Sequence, residues 1–166
     1  MKSIIFAGGC FWGVEAYLKQ IEGVEFTEVG YVNGASIDPT YEDVCSGSGH
    51  AEAVAVCFNS EILSTKRLIN LFFEIIDPFA VNKQGNDVGV QYRSGIYWQT
   101  NNQERLIQNE VDKLSQRLNK KVAIEVEPLK NFYRAEDEHQ DYLAKNPNGY
   151  CHIPKSMLEK KIPAEQ

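Results

Sequence analysis

MKSIIFAGGCFWG, residues 1–13, sets an apolar run, two glycines, a cysteine and two large aromatics side by side. Ile4, Ile5, Phe6 and Ala7 read as a short buried strand over 3–7. Phe11, Val14, Tyr17, Leu18 and Ile21 recur at helical spacing, which predicts a helix over 12–21. Cys10 therefore falls at the turn from strand to helix. A thiol there meets the positive end of the helix dipole, which favours thiolate and predicts a lowered pKa. Gly8 and Gly9 let the backbone turn sharply. The helix core cannot use both Phe11 and Trp12, so the stretch sets a candidate nucleophile beside exposed aromatic surface.

Outward from this unit, a strand is predicted over 24–32, then a loop rich in Gly, Ser, Asn and Asp to about residue 48. A strand follows over 50–58 and a helix over 65–76, with Ser64 as its N-cap. Leu68, Leu71, Phe72, Ile75 and Ile76 form that helix's buried stripe, and Asp77-Pro78 ends it. A strand near 93–99 precedes a helix over 102–118 carrying Leu106, Ile107, Val111, Leu114 and Leu118. A strand over 122–127, a short helix over 135–145 and an irregular tail from Asn146 complete the chain. The first six elements run β-α-β-β-α-β, the order of a ferredoxin-like split sheet. The expected fold class is α+β: a two-layer α/β sandwich with this core, plus C-terminal helices and the tail. Residues 1–166 are expected to form one domain.

The chain has 166 residues, 43% hydrophobic and 24% charged, ordinary values for a globular protein. A net charge of −6 argues against nucleic acid or an anionic membrane as partner. No apolar run is long enough to cross a bilayer and no signal-peptide pattern opens the chain, so a cytoplasmic location is expected. The four cysteines, Cys10, Cys45, Cys57 and Cys151, include no C-x-x-C. In a reducing cytosol they rest as thiols, and a disulfide among them is more readily catalytic than structural.

In GHAEAVAVCF, 49–58, alternation places His50, Glu52, Val54, Val56 and Phe58 on one face and Ala51, Ala53, Ala55 and Cys57 on the other. Glu52 heads an apolar strand. It is either a strand-end carboxylate reaching solvent or a partly desolvated acid with a raised pKa, suited to donating a proton. Tyr41 and Cys45 lie in the 33–48 loop, and Asp87 and Tyr92 in NKQGNDVGVQYRSG, 82–95. Taken singly, these read as ordinary turn and surface residues. Cys57 reads as a small buried hydrophobe. Cys151 lies in the tail after KNPNGY, mobile and exposed, where a thiol is a liability unless it reacts.

GCFWG (9–13), GHAEAV (49–54), QGNDVGVQYRS (84–94), AEDEHQDYLAKNP (135–147) and NGYC (148–151) together resemble the peptide methionine sulfoxide reductases of the A type, in order and over nearly the whole chain. The resemblance implies that Cys10 is the nucleophile and that Phe11 and Trp12 form an apolar wall for the substrate's S-methyl group. It implies Glu52 as proton donor, Tyr41, Asp87 and Tyr92 around the sulfoxide oxygen, and Cys151 as the resolving cysteine. It implies reduction of methionine S-sulfoxide, free or protein-bound, recycling by thioredoxin, and no cofactor or metal. A monomer is expected. No cysteine follows Cys151, so the sequence offers no further carrier along the tail.

Two other readings compete on residue chemistry. A cysteine hydrolase would need His50, His139 or His152 as base, but position 12 is Trp where a nucleophile elbow has glycine. A zinc module would draw on Cys10, Cys45, His50, Cys57, Cys151 and His152, which lack paired ligand spacing.

Overall fold

The computed structural model describes residues 1–165. The apolar run of the opening stretch becomes β1 (Lys2–Ala7), and the chain turns at Gly8–Gly9 into α1 (Phe11–Leu18). Then come β2 (Val24–Val32), α2 (Tyr41–Cys45), β3 (Ala51–Phe58), α3 (Thr65–Phe73), the short strands β4 (Lys83–Gln84) and β5 (Asp87–Val88), and β6 (Gly95–Trp98). The rest is α4 (Asn101–Leu118), β7 (Glu125–Pro128), β8 (Phe132–Arg134), α5 (Tyr142–Lys145) and α6 (Lys155–Leu158).

The main sheet runs β7-β6-β1-β3-β2-β8. Its inner four strands, β6-β1-β3-β2, pair antiparallel in the ferredoxin-like order. Chain segments after the core extend both edges: β7 adds parallel to β6, and β8 antiparallel to β2. The alternation expected for β3 is realised. Val54, Val56 and Phe58 face a large core with Ile4, Phe6, Phe11, Val14, Leu68, Phe72, Ile107 and Val111 from β1, α1, α3 and α4. Ala51 and Ala53 face a smaller one with Ile5, Val32 and Tyr97, covered by Leu129 and Phe132. Cys57 points to this second face where cover runs out, opposite the exposed Phe26, so it is half-buried rather than buried.

Other expectations are corrected. The 135–145 helix is a short turn at Asp137–His139 followed by α5. The side chain of Gln140 clamps the backbone of Val29, accepting from its N–H at 2.9 Å and donating to its C=O at 2.9 Å. That clamp holds residue 140 extended, and Asp141 then turns left-handed at φ 52°. In α4 only Ile107, Val111 and Leu114 of the expected stripe are buried; Leu106 and Leu118 sit at its borders and face solvent. Strand β7 begins three residues later than expected. Within the 33–48 loop, Thr40 and Asp43 form a reciprocal capping box that starts α2. The tail is less irregular than expected: it contains α6, and Ile162 bridges in parallel to Ile21.

Candidate active site

Cys10 is the N-cap of α1, in extended backbone, and its side chain makes no cap bond. The helix's first amide is taken instead by Glu52 from β3: the Phe11 N–H donates to Glu52 Oε1 at 3.2 Å. Glu52 is 1% exposed, and its other oxygen, Oε2, is buried with no hydrogen-bond partner. Burial, with a smaller push from Asp87, drives its pKa up to about 8 against the pull of the Phe11 amide. Glu52 is thus a neutral acid at neutral pH, with one oxygen anchored and the other free to serve a guest.

The same environment reverses the expectation for Cys10. Its thiol is 6% exposed, and burial, then the Glu52 carboxylate, push its pKa well above the usual thiol range. The Trp12 amide at the helix start pulls the other way and loses, because desolvation of a thiolate outweighs one turn of helix dipole. The resting group is a neutral thiol. Its other influences are Asp87 and Cys151, and no histidine is among them.

Burial raises the pKa of Asp87, on β5, against the opposing pulls of His152, the Tyr150 hydroxyl and the Cys10 amide. Burial raises the phenols of Tyr41 and Tyr92; both also feel Glu52 and Cys45, and Tyr92 feels Cys10 and Asp87 as well. The Tyr41 backbone N–H is held by Glu136 Oε2 at 3.0 Å, and Tyr92 ends a short helical turn, Val90–Tyr92. Cys45, at the end of α2, borders Tyr41 and stays exposed. The structure therefore gathers Cys10, Glu52, Tyr41, Asp87 and Tyr92 around one point.

Cys151 is neither exposed nor loose. A Cβ placed on Gly13 would lie 2.4 Å from its Sγ, so the thiol packs on α1 three residues after Cys10. The Ile153 N–H donates to that sulfur at 3.3 Å, while burial keeps the thiol pKa raised. Beyond it opens a cleft of about 630 Å³ along α1, lined by Trp12, Cys151 and Ile153 among others. The two aromatics divide between core and surface, as a helix core with room for only one of them requires. Phe11 is fully buried, with its ring 5.7 Å from that of Tyr31. Trp12 alone keeps an open side: it stacks on Tyr142 at 3.7 Å and donates through Nε1 to His139 Nδ1 at 3.1 Å.

Sequence reasoning missed the residues that hold these groups. Gln84, 2% exposed, accepts from the Asp77 N–H and donates to the Asp77 carbonyl and Ser94 Oγ, which ties down the loop bearing Asp87 and Tyr92. Arg93 Nη1 donates to the carbonyls of Val90 and Gly49, joining that loop to the start of β3. Their presence inside QGNDVGVQYRS was the available signal. Among the described residues, one group has three metal-capable side chains together, Glu136, Glu138 and His139. Glu136 already accepts from Tyr31 and Tyr41, and His139 from Trp12, so their lone pairs serve the fold. The zinc reading's cysteines and histidines do not converge among those residues.

A buried thiol, a neutral carboxylic acid and two phenols around one point, with a second thiol one helical turn away, define a thiol-dependent oxidoreductase. The sequence profile of the peptide methionine sulfoxide reductases matches residues 2–166, and the chain belongs to that family. The peptide methionine sulfoxide reductase MsrA of Clostridium acetobutylicum is 52% identical over 161 residues, 96% of this chain and 99% of that protein. The crystal structure of reduced Mxr1 from Saccharomyces cerevisiae superposes with a TM-score of 0.88 at 35% identity, over 92% of this chain and 91% of that one. Mxr1 in complex with Trx2 superposes at 0.61 with 26% identity, over 85% and 84%. No helix among the described residues is long and apolar enough to cross a membrane.

Proposed function

We propose that this chain reduces methionine S-sulfoxide, free or within polypeptides, to methionine, with Cys10 as the attacking sulfur and a thioredoxin dithiol as final reductant. The observation that carries the reading is Glu52 Oε2, a buried oxygen of a protonated acid with no partner, beside a buried thiol. A sulfoxide sulfur is a poor electrophile because attack loads negative charge on its oxygen. Glu52 donates a proton there, and Tyr41 and Tyr92 add phenolic donors. Trp12, open on one side, receives the S-methyl group, and Phe11 backs it from the core. The oxygen moves from the methionine sulfur to Cys10, which becomes sulfenic acid as the thioether leaves. The Cys10 thiol proton replaces the one Glu52 gave. Cys151 then condenses with the sulfenic acid, expelling water and forming a disulfide.

The cleft beside Cys151 gives an incoming thiol a path to that disulfide. The Mxr1–Trx2 complex, from a relative of the same fold, supports thioredoxin in that role. Dependence on a dithiol supply supports the cytoplasm. The sulfoxide sulfur is chiral, so methyl and oxygen fixed on opposite sides admit one epimer. Assayed on a peptide with dithiothreitol and then thioredoxin, the S-sulfoxide is expected to turn over and the R-sulfoxide to remain. Equal rates on both would refute this arrangement.

Gly13 supplies a second expectation. It has helical backbone, and alanine is the better helix former by about 1 kcal/mol, so Gly13→Ala should leave α1 intact. The added methyl meets Cys151 Sγ at 2.4 Å and Ile153 Cδ1 at 3.2 Å, so the tail must give way. Release of the first methionine per enzyme should be preserved. Thioredoxin-driven turnover should fall by about 10-fold or more, since two cysteines bridge only with Cα atoms within about 7 Å. Undiminished steady-state turnover would place the recycling thiol elsewhere, with Cys45 next to test.

A further inference from the structure

One buried titratable side chain beside the site has no part in the reaction above. The imidazole of His152 is 5% exposed and lies against the Gly8–Gly9 turn that leads into Cys10. Gly9 has φ +89°, and a Cβ there would lie 2.8 Å from His152 Cε1 and 3.0 Å from Nε2. A Cβ on Gly85 would lie 3.3 Å from His152 Cβ. The two glycines thus leave a slot that the ring fills. Within it, Nδ1 lies 3.6 Å from Asp87 Oδ2, just beyond a direct hydrogen bond. Both ring nitrogens and Asp87 Oδ2 are buried without hydrogen-bond partners. Such a pair, closed off from water, costs the fold free energy, and its presence calls for a role that offsets that cost.

His152 directly follows Cys151 in the chain. Where the ring lodges therefore governs where the preceding thiol rests, and that place is Gly13, one helical turn from Cys10. We propose that His152 is a positioning residue for disulfide formation: lodged in the glycine slot beside Asp87, it seats Cys151 on α1 so that the second thiol meets Cys10 once Cys10 carries the oxygen. This rests on Cys10 and Cys151 being the redox pair. The step itself balances without an outside reagent, since the Cys151 thiol proton leaves with the sulfenic hydroxyl as water.

A proton held between Nδ1 and Asp87 pulls the two together, and its loss weakens the seat. Burial lowers the His152 pKa, prevailing over the opposing pulls of Asp87 and the Gly8 backbone, and burial raises that of Asp87. The other groups facing the pair are the Tyr150 hydroxyl and the Cys10 amide at Asp87, with the Cys10 thiol, Cys151 and Glu52 behind. On the cleft side stand Lys155 and Glu159, paired to each other at 3.7 Å.

The test uses the full chain, mixed with excess methionine sulfoxide peptide and no reductant, with released methionine and remaining thiols counted over time. In His152→Ala the methionine burst should match the parent within about 2-fold, while loss of the second thiol slows by about 10-fold or more. The parent's advantage should shrink as pH rises and the pair gives up its proton. His152→Asn, whose amide can stand where Nδ1 does, should recover most of the rate with no such pH dependence. If His152→Ala does not fold, the comparison of parent and His152→Asn pH profiles decides alone. Unchanged thiol loss, equal slowing of burst and thiol loss, or identical pH profiles would each overturn the proposal. A parent enzyme that forms no Cys10–Cys151 bond would instead sink the redox-pair reading, which mass spectrometry of the oxidised chain distinguishes.

Discussion

Cys10→Ser is expected to abolish sulfoxide reduction with every reductant while leaving the fold as stable as before, or more so. The two halves have separate causes. Cys10 occupies an N-cap with extended backbone and no side-chain cap bond, where serine is among the preferred residues and contributes about 1 kcal/mol over a non-capping side chain. The substitution therefore adds a helix-start interaction and removes only the sulfur. A hydroxyl cannot stand in for that sulfur. It cannot accept oxygen and pass through sulfenic acid to a disulfide, so neither thioredoxin nor dithiothreitol has anything to reduce. Thermal melting and a methionine-release assay on one preparation check both. Substantial residual turnover would remove Cys10 from the mechanism.

Glu52→Gln should slow methionine release in a single turnover by about 10²–10⁴-fold, the usual worth of a positioned general acid. Glutamine keeps an oxygen to accept the Phe11 N–H and keeps the volume, so the site should retain its shape. The pH dependence carries a sign that can be read from both rate and stability. Glu52 stays protonated in the folded chain up to about pH 8, whereas in the unfolded chain it ionises near the ordinary 4.5. Between those values the unfolded state releases a proton that the folded state keeps. The Glu52 contribution therefore favours folding most below pH 4.5 and is lost as pH rises toward 8, at up to about 1.4 kcal/mol per pH unit. Glu52→Gln has no proton to lose, so its melting temperature should gain on the parent between pH 5 and pH 8. The parent's burst rate should fall as pH passes about 8, and the variant's residual rate should lose that fall. A single-turnover rate within a few-fold of the parent would move the donor to Tyr41 or Tyr92.

The central sheet was legible because its strands and helices are long enough to show periodicity. The alternation across Ala51–Phe58 and the stripe Leu68–Leu71–Phe72 each repeat several times, and each repeat lies against one core. Strands of two or three residues, β4, β5 and β8, carry no such signal; partners far along the chain define them. The 135–145 segment has helical composition, but the Gln140 amide spends itself on Val29, a contact no local pattern records. In the site, the location of Cys10 at a strand-to-helix turn followed from its neighbours. The direction of its pKa did not, because the helix dipole is local while burial is supplied by the whole fold. Phe11 was legible as part of the apolar stripe of α1, but Tyr31 and His139, which pack against its ring, are distant in sequence and were not. His152 was named only as a candidate base or zinc ligand, because the partners that seat it, Gly9 and Asp87, come from two other segments.

The seat of Cys151 on Gly13 bears on how long the enzyme survives its own chemistry. Sulfenic acid is the last readily reversible stage of cysteine oxidation; one more oxidant converts it to sulfinic acid, which thioredoxin does not rescue. Methionine sulfoxide is most abundant where peroxide is, so in the proposed cycle each repair event exposes Cys10 to that hazard. With Cys151 as the proposed resolving thiol, its docking one helical turn away would shorten the exposure to the time of a local contact instead of a search by a free tail. Loosening that seat, as in Gly13→Ala, would then do more than slow recycling: under peroxide it would turn a repair enzyme into one that inactivates itself.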